Sequence, residues 1–77
     1  MNKPRRKELE RALDLLQQAL EIIETVKDEE QEARDNMPDN LQESERAYQM
    51  DENVDNLDSV LELIDEAKDG IDIVIES

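Results

Sequence analysis

Apolar residues in this chain recur at helical spacing in two long blocks. In the first, Leu9, Ala12, Leu13, Leu16, Ala19, Leu20, Ile23 and Val26 step by three and four residues, which puts them on one face of an α-helix. Leu15 and Ile22, seven apart, lie beside that stripe and widen it. In the second block Ala47, Met50, Val54, Leu57, Leu61, Ile64, Lys68, Ile71 and Ile75 make an unbroken heptad seam whose one polar member is Lys68. Val60, Ala67 and Val74 widen it in the same way. Stripes of this breadth exceed a two-helix seam and suit helices with neighbours on two sides.

Between the blocks lies Asp35 to Tyr48, D-N-M-P-D-N-L-Q-E-S-E-R-A-Y, with the densest turn chemistry and the only aromatic side chain. The pattern predicts a helix over 4–35, a linker over 36–43 and a helix over 44–75, within a single domain of residues 1–77. Pro4 suits a first helical turn, and Asn2 is the better of the two available N-caps. Met37 before Pro38 is biased away from helical dihedrals. Two starts compete for the second helix: Asp39 with Gln42 resembles a capping box, and Ser44 is a plain N-cap. Ser44 is favoured, with a short turn over 39–43 before it. Gly70 either ends the second helix or sits inside it at a cost of about 1 kcal/mol. The tail from Ile71 alternates like a strand but has no strand partner in the chain, so it is read as the last helical turns.

A short linker makes the two helices antiparallel neighbours. Val26 then falls near Val54, Leu16 near Ile64 and Leu9 near Ile71, and the basic start (Lys3, Arg5, Arg6, Lys7, Arg11) meets the acidic end (Asp69, Asp72, Glu76). A chain of 77 residues is near the size at which one core rarely suffices. With no Cys and no His, neither a disulfide nor a zinc site of ordinary ligands can supplement it. Partner subunits are the remaining source of stability. The fold expected is therefore all-α, an antiparallel two-helix hairpin assembling into a homo-oligomeric four-helix bundle.

The net charge is -14. A surface of that sign repels bare nucleic acid and anionic membranes, so neither is expected as a direct partner. The acidic residues are also ordered. On the second helix Asp51, Asp55, Asp58, Glu62, Asp65 and Asp69, continued by Asp72 and Glu76, follow the stepping of the seam, about 5 Å apart along the axis. Glu10, Asp14, Glu21, Glu24, Asp28 and Asp35 form a sparser row on the first. Such rows can imitate the phosphates of a nucleic acid, spaced about 3.4 Å per strand, and block a DNA- or RNA-binding protein. They also serve as the solvated face that any acidic bundle needs. Glu52 with Asp55 and Glu62 with Asp65 have the E-x-x-D spacing of helical magnesium-dependent nucleotide hydrolases, but these acids fall outside the apolar seam. With no nucleophile–base pair available, no enzymatic activity and no cofactor or metal is expected.

The linker region is the other candidate. Arg34, Asn40, Gln42, Ser44, Arg46 and Tyr48 bring guanidinium, amide, hydroxyl and ring into one stretch. Those groups suit a nucleotide-like ligand: amides and hydroxyls for a sugar, Arg for a phosphate, Tyr for stacking on a base. In an oligomer, linkers of adjoining subunits would form the pocket. The plainer reading is turn chemistry with local ion pairs, Arg46 with Glu43 and Arg34 with Asp35.

The linker D-N-M-P-D-N-L-Q-E-S-E-R, followed by D-E-N-V-D-N-L-D-S-V-L-E-L-I-D-E-A, resembles a group of small acidic helical proteins of Firmicutes and their phages, a group with no settled activity. The resemblance covers most of the chain and is specific in the linker. It implies a mobile-element context, in which small proteins commonly act by binding a host protein or soaking up a signalling nucleotide. A phage-type binding protein that counteracts a host system by sequestration is thus the expected function, with a structural helical adaptor as a further alternative. A cytoplasmic location is expected, the host cytoplasm if the chain is phage-encoded.

Overall fold

A computed structural model describes all residues, 1–77. Helix α1 spans Lys3–Asp35, a single 3-10 turn spans Asp39–Leu41, and helix α2 spans Glu45–Glu76. The two helices pack along one another as a hairpin with extents of 60 × 15 × 12 Å. Helices fill the chain to within a residue of the expected limits, and there is no strand, so the alternating tail is helical.

Each helix starts where its cap residue dictates. The Asn2 side chain accepts from the Arg5 N–H at 2.9 Å, with Pro4 in the first turn. Ser44 Oγ accepts from the Ala47 N–H at 3.2 Å. Each cap satisfies an N–H that the helix itself cannot, worth about 1 kcal/mol. Asp39 does not cap α2; it opens the 3-10 turn, in which the Gln42 N–H donates to the Asp39 carbonyl. Gly70 lies inside α2, and a Cβ added there would meet nothing within 4 Å.

Four residues are buried: Leu20 from α1 and Ala47, Met50 and Val54 from α2. Ala47 has no exposed surface at all, and its small side chain lets the helices approach closely just after the linker. Further along, Leu57, Leu61, Ile64, Lys68, Ile71 and Ile75 are half-buried, as are Leu9, Leu13, Leu16 and Ile23. The expected seams are thus the ones that meet, except at Val26. Lys68, the polar member, points its ammonium at the Gln17 side-chain oxygen. Other polar pairs cross the seam at Lys27–Asp58 (2.8 Å), Arg34–Asp51 (3.0 Å) and Asn53–Glu30 (3.0 Å). Side chains of both helices lean toward their own N-termini, so long polar arms join residues whose Cα atoms are offset along the hairpin. The antiparallel register expected from the apolar pattern agrees with these pairs, and Met1 N reaches Ser77 O at 3.4 Å at the open end.

The widening residues remain outside, and Val26, expected on the seam near Val54, joins them because its spacing carries it round to the side of Ile22. Leu15, Ile22 and Val26 on α1 and Val60, Ala67 and Val74 on α2 are exposed. At about 100° per residue they sit roughly a quarter turn or more from each seam. Because the helices are antiparallel, both sets fall on the same side of the hairpin. Asp58 and Asp51, which bridge to α1, lie on the opposite side.

Two expected charge arrangements do not form. Lys3, Arg5, Arg6 and Lys7 make no ion pair with Asp69, Asp72 or Glu76; the one bridge near that end is Arg11–Glu8 at 3.3 Å within α1. Exposed termini gain little from fixing long side chains in one geometry. Nor does Arg46 pair with Glu43 or Arg34 with Asp35. Arg34 turns inward, where it finds three acceptors, two on Gln42 in the linker and one on Asp51 in α2.

Candidate functional site

The linker is held from inside. Arg34, half-buried in the last turn of α1, donates through one guanidinium nitrogen to the Gln42 side-chain oxygen and through another to the Gln42 carbonyl at 3.1 Å. Its Nε donates to Asp51 in α2. The Gln42 amide in turn donates to the Met37 carbonyl at 2.6 Å. Three N–H groups of one planar fork therefore tie the end of α1, the turn and the start of α2 together. Ser44 is occupied as the cap, and its hydroxyl also donates to the Leu41 carbonyl at 2.7 Å.

Of the six linker candidates, the structure thus brings Arg34 and Gln42 into contact and commits both, with Ser44, to closing the turn. Asn40, Arg46 and Tyr48 are exposed. Arg46 and Tyr48 are two residues apart on α2, which turns them about 200° from each other. A single chain does not converge them on one ligand. Neither concave region of the surface lies at the linker. One, about 440 Å³, is bounded by Met1, Pro4, Arg5, Glu8 and Leu9; the other, about 250 Å³, by Glu30, Asn53, Asn56, Leu57 and Val60.

The carboxylate rows behave differently. All six acidic residues of the α1 row and all eight of the α2 row are exposed, fourteen of the 23 in the chain. Measured around each helix, both rows lie on the side of the seam opposite Leu15, Ile22 and Val60. Antiparallel packing therefore merges them into one face. Asp51, Asp55, Asp58, Glu62, Asp65 and Asp69 form one edge, and Glu10 to Asp35 run antiparallel beside them. Between these limits the only cations reaching the face are Lys27, Arg34 and Lys68, and all three are engaged with Asp58, Asp51 and Gln17. The hydrogen bond it donates to Asp58 holds the Lys27 ammonium above its ordinary pKa, opposed by desolvation and supported by the charges of Asp58, Asp28 and Glu24. Proteins that crowd like charge in this way give up stability for it.

No three acidic side chains converge as they would to hold a metal ion. Glu52, Asp55, Glu62 and Asp65 all point to solvent, so the E-x-x-D pairs do not face one another across the hairpin. No helix is long and apolar enough to cross a membrane. Set against protein-family models, curated proteins and solved structures, the chain matches none.

Proposed function

We propose that this chain is a non-enzymatic binding protein whose carboxylate face occupies a cationic groove on another protein, in the place of nucleic acid. The observation that supports it is the segregation of fourteen exposed carboxylates onto one side of a rod 60 Å long. Repulsion within such a face is relieved when an array of Lys and Arg is laid against it, and release of counterions makes that contact sensitive to salt. In the phage-type context that the linker resemblance implies, the partner is a host nucleic-acid-binding protein and the effect is sequestration.

The test uses a basic DNA-binding protein of the host, loaded with labelled duplex. Addition of the chain should displace the duplex, less so as salt rises. A variant with Asp55→Asn, Glu62→Gln, Asp65→Asn and Asp69→Asn should lose displacement while keeping its helicity. Displacement that survives this neutralisation, or that ignores salt, removes the proposal.

Capture of a nucleotide-like ligand is the second reading, supported by the lack of any hydrogen bond from the Arg46 or Tyr48 side chain within the chain. It needs linkers of two subunits, since one chain turns these groups apart. Calorimetric titration of nucleotides and cyclic nucleotides against wild type and Arg46→Ala decides it: heat that is absent, or unchanged by the substitution, discards it.

A further inference from the structure

The side of the hairpin opposite the carboxylates is apolar and uncovered. Leu15 is 54% exposed and Ile22 65%. The two concave regions both open on this side, one at the open end and one between the middle and the linker. In a four-helix bundle each helix touches two neighbours set roughly 90° apart around it. One such direction on each helix is taken by the seam, and the exposed stripe lies in the other. The stripe has the geometry of a surface meant for a second hairpin.

The charges on this side say which hairpin. Toward the open end it carries Arg5 and Arg11 with Glu8; toward the linker it carries Glu29 and Glu30 with Arg46. The open end is net positive and the linker end net negative. A two-fold axis across the middle of the face sets each end against the opposite end of an identical chain, which is the self-complementarity of an isologous interface. It also leaves both carboxylate faces on the outside, as far apart as the bundle allows.

We infer that two copies of this chain pair, antiparallel, through the face containing Leu15, Ile22, Val26 and Val60, to form a four-helix bundle. The pairing does not depend on the proposed role of the carboxylate face, which it leaves free, and it places the two linkers at opposite ends.

Sedimentation equilibrium from about 1 to about 100 µM tests this. Wild type should approach twice its 9.0 kDa mass. Ile22→Glu and Leu15→Glu, at positions already largely exposed in one hairpin, should weaken association at least about tenfold. Ile73→Glu serves as control: it is 68% exposed but turned away from this face, and the dimer should persist. Charge reversal gives an independent measurement. A variant with Arg5→Glu and Arg11→Glu, and another with Glu29→Lys and Glu30→Lys, should each associate weakly alone and pair with one another when mixed. A wild-type mass of one chain at the highest concentration overturns the inference, as does a mass of three or more chains. Loss of association in Ile73→Glu equal to that in Ile22→Glu, or failure of the mixed charge variants to pair, does the same.

Discussion

Arg34 and Gln42 share two hydrogen bonds across the linker, from the guanidinium to the side-chain oxygen and to the main-chain carbonyl of the same residue. Gln42 passes the restraint on to the Met37 carbonyl, and Arg34 passes it on to Asp51. Arg34→Ala should lower stability by about 1–3 kcal/mol, because it leaves the Gln42 groups without their charged donor. Gln42→Ala should cost a similar amount, and the double variant less than the sum, since the two act as a unit. Arg34→Lys should not restore the loss, as an ammonium cannot span three acceptors in a fork. Urea unfolding followed by circular dichroism measures all four, and additive losses would show that the two side chains do not cooperate.

The start of α2 rests on Ser44. Ser44→Ala should destabilise by about 1 kcal/mol, while Asp39→Ala should stay within about 0.5 kcal/mol. Thermal melts of the two variants distinguish the competing caps, and a larger loss at Asp39 would move the functional cap to the turn.

Gly70 sits in mid-helix with open space where a Cβ would go, and its backbone is not left-handed. Gly70→Ala should therefore raise stability by about 0.5–1 kcal/mol through the smaller entropy of the unfolded chain. For a domain of this size that is a rise in Tm of several degrees, about 4–8 °C per kcal/mol. A fall in Tm would mean that the position is engaged in a contact such as a subunit interface.

Lys27 gains a partner on folding, so its pKa is raised in the folded state. Its contribution is fully present below the unfolded value of 10.5 and is lost as pH rises through the higher folded value. Between about pH 9 and pH 12 wild type should lose more stability than Lys27→Met, in which that titration is absent. Parallel melting-temperature profiles for the two proteins across this range would dismiss the Lys27–Asp58 bond as a contributor.

Much of the hairpin was legible from period and caps alone. The seams from Leu9 to Ile23 and from Ala47 to Ile75 follow from three-four spacing, because a helix turns about 100° per residue whatever surrounds it. Asn2, Pro4 and Ser44 mark helix starts by local chemistry within three residues, and Pro38 marks the break. The antiparallel register follows from a linker too short to allow another. The same reasoning overreached at the termini. Opposite charges at neighbouring chain ends suggested ion pairs, but nearness in register does not fix exposed side chains against the entropy of long arms and the screening of water.

What only the tertiary structure decided is how side chains separated in sequence share space. Arg34 read locally belongs with Asp35; in the folded chain it reaches Gln42 and Asp51, because helix pairing brings acceptors that no sequence window contains. Each carboxylate row has its place on its own helix from spacing alone. That both rows lie on one side, with Leu15, Ile22 and Val60 on the other, is a consequence of two helices packed antiparallel, which brings the same flank of each to a common face.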